Sequence, residues 1–168
     1  MPNENEKRGP VTPRLKLLLV QADPSLPLWD VGCDHGYLGE AALRAGFPFV
    51  HFVDPAEALI ERLRRRLSFH FRSAGFHAGR AQDLREPMHG NIVMAGFGAD
   101  QMCEILDRHF GLVRASSPTK SRLILVPHKD IEKIPIWLRA APQSWSVREL
   151  TITERRRTRT VFVADLVS

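Results

Sequence analysis

The sequence predicts an open, mostly parallel α/β sheet with helices on both faces, closed by an antiparallel C-terminal hairpin. Three observations predict it. Apolar runs of strand length alternate with stretches whose apolar residues recur at helical spacing. Several of those runs break into loops rich in glycine and acid, such as Asp30-Val31-Gly32 and Ala95-Gly96-Phe97-Gly98. The end of the chain instead alternates with a period of two over 145–153 and 160–167.

The elements follow in order. Residues 1–11 are polar and read as a flexible tail; residues 12–168 read as a single domain. Thr12 suits an N-cap and Pro13 a first helical residue. Leu15, Leu18 and Leu19 share one stripe of that helix, which Asp23-Pro24 and Pro27 close. Residues 28–33 form a buried strand. A helix over 37–46 has Leu38, Ala41, Ala42 and Ala45 on one face and Gly46 at its end. Residues 49–53 form a second strand ending at Asp54-Pro55. A long helix over 56–73 has Leu59, Ile60, Leu63, Leu67 and Phe71 as its inner stripe. Residues 75–79 form a short third strand, which the chain leaves through 81–84. Residues 91–95 form the fourth. A helix over 100–110 buries Met102, Ile105, Leu106 and Phe110. Residues 122–126 form the fifth strand, stopped by Pro127. A short helix over 134–141 holds Leu138 inside. The closing hairpin carries the loop Arg155-Arg156-Arg157-Thr158-Arg159.

Composition narrows the class. At 168 residues the chain has the length of one domain. Roughly two-thirds of its unfolded surface can be buried, so neither a disulfide nor a metal is needed to hold a core. A hydrophobic content of 43% with 26% charged residues argues against a disordered chain. No run reaches the ~18 apolar residues of a membrane span. The polar start carries no secretory signal. Two cysteines, Cys33 and Cys103, make no disulfide framework and fit a reducing compartment, so a cytoplasmic location is expected. No metal-ligand spacing, Walker loop or nucleophile elbow is present. The net charge of +5 permits a polyanionic partner. The arginines cluster at Arg62, Arg64, Arg65 and Arg66 and again at Arg155, Arg156, Arg157 and Arg159. Phosphate-binding patches and plain solvated faces both fit those clusters.

In such sheets ligands bind at the carboxyl ends of the strands, near the point where strand order reverses. The loop Asp30-Val31-Gly32-Cys33-Asp34-His35-Gly36-Tyr37 follows the first strand. Gly32 admits close approach of a ligand or merely makes a tight turn. Asp34 puts a carboxylate where a dinucleotide pyrophosphate would sit, which disfavours NAD and favours a cationic or neutral ligand. Asp54 ends the second strand, where a carboxylate can accept both ribose hydroxyls of an adenosine or cap the next helix. Asp83 follows the third strand, either near an adenine amino group or in solvent. After the fourth, Gly96 brings backbone beside the ligand, and Phe97 offers a stacking ring or plugs the core. His128 follows the fifth strand, contacting substrate or facing water.

At these loops the chain resembles the bacterial tRNA adenine-22 N1-methyltransferases of the TrmK type. That family's D-I-G-S-D-H-A-Y-L stands here as Asp30-Val31-Gly32-Cys33-Asp34-His35-Gly36-Tyr37-Leu38. Its A-G-M-G-G appears as Ala95-Gly96-Phe97-Gly98-Ala99, and its L-I-L-Q-P-N as Leu123-Ile124-Leu125-Val126-Pro127-His128. Trp137-Leu138, Glu149 and Glu154 match further positions, and the likeness covers roughly 12–167. Phe97, Ala99 and His128 replace the family's Met, Gly and Asn. The family's helical domain after the hairpin has no counterpart in these residues.

The resemblance implies a Rossmann-like class I methyltransferase fold and S-adenosyl-L-methionine as cofactor. It implies a tRNA base as substrate, with adenine N1 as the acceptor. Asp30, Gly32, Asp34, His35, Asp54, Asp83 and Gly96 would then hold the cofactor. Phe97 and His128 would face the target base. Arg62, Arg65, Arg66, Arg155, Arg156 and Arg157 would contact RNA phosphates. Two other readings fit the same residues: a small-molecule methyltransferase, and a non-catalytic module that binds cofactor or RNA.

Overall fold

The computed structural model describes residues 12–111, 120–154 and 156–167. The tail expected at 1–11 lies outside them, as does Arg155. The described residues form a seven-stranded sheet of order β3-β2-β1-β4-β5-β7-β6. Its strands are β1 (Leu28–Val31), β2 (Val50–Asp54), β3 (Ala74–Ala78), β4 (Gly90–Ala95), β5 (Ser121–Val126), β6 (Trp145–Glu154) and β7 (Arg157–Leu166). Neighbours from β3 to β5 run parallel, and β7 pairs antiparallel with both β5 and β6. The predicted fold class is therefore observed. Strand order reverses between β1 and β4, so the loops after these two strands part and leave a crevice at their carboxyl ends.

Five helices cover the sheet among the described residues: α1 (Pro13–Gln21), α2 (Tyr37–Arg44), α3 (Glu57–Arg66), α4 (Ala99–Leu106) and α5 (Lys133–Ala140). Thr12 caps α1 as expected, its hydroxyl accepting the Leu15 N–H at 3.3 Å. On one face Leu18, Leu38, Ala42, Ile60 and Leu63 pack on Phe52, Val93, Ile124 and Val163. On the other, Met102, Ile105, Leu106, Ile134 and Leu138 pack on Trp29, Ile92, Leu123 and Leu125. Burial on both sides explains why β1, β4 and β5 read as near-continuous apolar runs.

Two expectations change. The helix expected over 56–73 ends at Arg66, and Ser68–His70 forms a 3₁₀ turn instead. β3 begins at Ala74, so the chain must turn within the intervening residues. Phe71 consequently lies exposed instead of on the inner stripe. The five-residue hairpin loop is also shorter than expected. Pairing continues through Thr153↔Thr158 to Glu154↔Arg157, and Arg156 turns the chain at φ +65°. Arg157 and Arg159 therefore belong to β7. Polar residues fill both faces of this protruding tip, so no apolar alternation marks it as strand. The remaining boundaries shift by a few residues.

No helix among the described residues is long and apolar enough to cross a membrane. Among them no group of three or more His, Cys, Asp or Glu gathers to hold a metal ion.

Candidate active site

The crevice between the β1 and β4 loops opens into a cleft of about 570 Å³. Asp30, Gly32, Asp34 and His35 line it from the β1 side, and Gly96 and Phe97 from the β4 side. The first helix supplies a third wall through Thr12, Arg14, Leu15 and Leu18. Such a volume lies within the range of small-molecule sites.

The β1 loop is held by backbone bonds. Gly32 and Cys33 donate to the Val53 carbonyl at 2.8 and 3.1 Å, and Gly36 donates to Cys33 at 2.7 Å. Three residues in this loop have positive φ: Gly32 at +68°, Asp34 at +47° and Gly36 at +71°. Gly32 is also required by its neighbour. A Cβ there would come 2.8 Å from Cε1 of Phe97. The two loops thus meet where the Phe97 ring packs against a bare backbone.

Asp30 is 6% exposed, and its carboxylate accepts the Gly39 N–H at 2.9 Å. Burial pushes its pKa up to about 7, with the charges of Asp54 and Asp34 adding to the push and the Gly39 bond opposing it. A cationic ligand in the cleft would offset that cost. Asp34 is exposed, with His35 Nε2 at 3.8 Å. Burial likewise raises the Cys33 thiol, so this cysteine is an inert wall.

Asp54 receives the Asp34 N–H on Oδ2 at 3.2 Å and the Ala56 N–H on Oδ1 at 2.9 Å. It therefore holds the β1 loop and the turn into α3, and each oxygen keeps a lone pair for a further donor. Asp83 is paired with Arg80 at 3.0 and 3.3 Å, and that pairing lowers its pKa. It does not line the cleft. Gly96, at φ +105°, has open space where a Cβ would be. Phe97 is half-buried, packing on the α4 side of the core while presenting its ring to the cleft.

Other expectations separate in space. His128 lines a neighbouring groove with Arg157 and Arg159, not the cleft, although its N–H donates to the Phe97 carbonyl at 3.3 Å. Phe97 and His128 thus face different openings. Arg66 turns inward: its Nη2 donates to the His35 carbonyl at 2.7 Å and to Glu40 at 3.2 Å, with its guanidinium 5.9 Å from the Tyr37 ring. It braces the β1 loop. Arg62 borders Asp34 and His35 from α3, while Arg65 and Arg156 are exposed.

Two residues escaped the sequence reading. Arg14 reaches the cleft from α1, and no described carboxylate pairs with it. Its only signal was its place one turn before Leu18, on the inner side of the helix. Gly39 lies inside α2, where glycine costs about 1 kcal/mol against alanine. A Cβ there would meet Phe52 at 2.3 Å, so glycine allows α2 to lie close on β2. A glycine inside a helical pattern, three residues after Gly36, was the available signal.

No curated protein sequence matches the chain significantly. Solved structures share its fold. A candidate tRNA (m1A22) methyltransferase of Streptococcus pneumoniae superposes with a TM-score of 0.78 at 21% identity, covering 94% of this chain and 71% of that one. The B. subtilis m1A22 tRNA methyltransferase TrmK gives 0.78 at 19% identity, over 93% of this chain and 66% of that one. M. capricolum TrmK, solved with S-adenosyl-homocysteine, gives 0.72 at 15% identity over 92% and 68%. In sequence, residues 11–161 match the model of a methyltransferase domain, and the chain accordingly belongs to the methyltransferase-domain family.

Proposed function

We propose that the chain transfers a methyl group from S-adenosyl-L-methionine to a ring nitrogen of an RNA base, adenine N1 of a tRNA. The observation that carries this is the charge layout of the cleft at the switch point. Asp30 and Asp34 stand on the β1 side, and Arg14, which no described carboxylate pairs, stands on α1. That layout suits a ligand with an ammonium, a carboxylate and a sulfonium. The bound cofactor supplies a methyl group already activated on cationic sulfur.

The chain's own residues then bind and align. Asp34 places negative charge beside the cation, and Arg14 pairs with the carboxylate. Asp54, at the end of β2, uses its remaining lone pairs for ribose hydroxyls. Gly96 leaves room for the ligand, and Phe97, seated on Gly32, provides a flat wall for a base. Adenine N1 must be unpaired to enter. Its lone pair forms the new N–C bond as the C–S bond breaks, and the electron pair of that bond goes to sulfur. The base becomes a cation, so the attack requires no general base. Catalysis is mainly in-line positioning.

Mass spectrometry of nucleosides from unmodified tRNA, incubated with protein and cofactor, tests the reading. A new 1-methyladenosine peak is expected. Cofactor binding without methylation of any RNA would refute it and favour a small-molecule acceptor. Absence of cofactor binding would favour the non-catalytic reading.

A further inference from the structure

A second opening lies on the same edge of the sheet. It is a groove of about 520 Å³ lined by Pro127, His128, Ile131, Arg157, Arg159 and Thr160. We infer that this groove holds the sugar–phosphate backbone beside the nucleotide whose base enters the cleft, with Arg157 and Arg159 on its phosphates. The inference rests on the reading of the chain as an RNA base methyltransferase.

Register places the arginines. β7 runs antiparallel to β5 with Phe162 opposite Leu125, and β5 ends at Val126. Residues 157–160 therefore project beyond the carboxyl end of β5, over the edge where the β1 and β4 loops open. Arg157 and Arg159 are two residues apart on one strand, so both project to one face, about 6.6 Å apart along the chain. Val161 and Val163 continue that face and share a core with Leu18 of α1, the helix that walls the cleft. The bond from the His128 N–H to the Phe97 carbonyl joins groove and cleft through one shared wall.

Charge points to an anion. Arg44, Arg64, Arg66, Arg80 and Arg122 each pair with a carboxylate. No described carboxylate pairs with Arg157 or Arg159. Two guanidiniums with no acidic partner among the described residues offer forked donors suited to phosphate. Pro127 and the 43% exposed Ile131 add an apolar floor suited to a sugar or base face.

The test compares wild type with the double variants Arg157→Ala/Arg159→Ala and Arg157→Lys/Arg159→Lys, each checked for an unchanged thermal melt. Affinity for unmodified transcribed tRNA is titrated at several salt concentrations. S-adenosyl-homocysteine affinity is measured by calorimetry. The alanine pair is expected to flatten the log–log salt slope by up to about 1.4, or about 0.7 per lost single-strand contact. It should raise the KM for tRNA and leave S-adenosyl-homocysteine affinity unchanged. The lysine pair should retain most of the slope. An unaltered slope and KM in the alanine pair, with wild type methylating tRNA, would overturn the groove assignment alone. Wild type that binds cofactor but neither binds nor methylates tRNA would overturn the functional reading, and the groove with it.

Discussion

Gly39 and Asp30 show how single residues hold the cleft together. Gly39 donates its N–H to Asp30 and lets α2 approach Phe52. Two effects compete in Gly39→Ala. Alanine gains about 1 kcal/mol of helix propensity. The added methyl at 2.3 Å from Phe52 overpacks the core, a change that typically costs about 1–3 kcal/mol. The contact is with a ring that is itself fully buried, so the loss should win. A lower denaturant midpoint with an unchanged m-value is expected, and a stabilised variant would show that propensity dominates. Asp30 predicts a pH effect. Its folded pKa is raised from 3.8 to about 7, so its contribution to stability is complete below 3.8 and is lost as pH rises through 7. Asp30→Asn keeps an oxygen for the Gly39 N–H and removes the ionisation. Relative to wild type, the variant should gain stability between pH 4 and pH 8, on the order of 2–4 kcal/mol. Parallel stability curves across that range would contradict the account.

At the scale of elements, α3 braces the cleft without entering it. Arg66 of α3 ties down the His35 carbonyl and Glu40, so Arg66→Ala should loosen the β1 loop. S-adenosyl-homocysteine affinity measured by calorimetry should fall by about 1–2 kcal/mol, the scale of a lost charged hydrogen bond. The tRNA salt slope should stay as it is; a flattened slope with intact cofactor affinity would make Arg66 a phosphate contact after all. On the opposite sheet face, His51 Nδ1 lies 3.0 Å from His77 Nε2, and the His51 ring stacks on Trp29 at 3.6 Å. Burial first, then the neighbouring His77 and His89, pulls the His51 pKa down to about 3. The unfolded chain therefore binds the proton more readily. Stability from this pair is present above 6.5 and is lost as pH falls toward 3. His51→Phe keeps the stack and cannot be protonated. Its thermal midpoint should drop less than that of wild type between pH 7 and pH 4.5, and an equal drop would remove His51 from the acid response. Element identity was legible in the sequence wherever burial was consistent, on both faces of β1 and β4 and on one face of α4. The end of α3 and the hairpin tip were not, because Phe71 and the Arg157–Thr160 stretch bury no consistent face and so leave no period to read.

For the whole molecule, the cleft joins residues from α1, β1 and β4, so ligand binding should stabilise the fold as a unit. Saturation at a hundred times Kd should add about 2.7 kcal/mol. For a chain of this size that corresponds to a rise of about 5–10 °C in Tm with S-adenosyl-homocysteine. No shift at saturating ligand would argue that the cleft does not hold the cofactor. The β1 loop was legible from its residues because backbone geometry demands glycine at Gly32, while a carboxylate at Asp34 bars a pyrophosphate. Local chemistry of that kind is written in consecutive residues. The partners of those residues are not. Arg14 shares a cleft with Asp30 and Asp34 only because α1 walls it, Arg66 braces His35 across 31 residues, and His128 lines a groove with Arg157 and Arg159 of β7. The sequence by itself determined the order of strands and helices, the buried faces and the loops that carry the acids and glycines, since periodicity and backbone strain are local properties. Only the tertiary structure decided which charges meet and which stay unpaired, since that depends on distances between segments far apart in the chain.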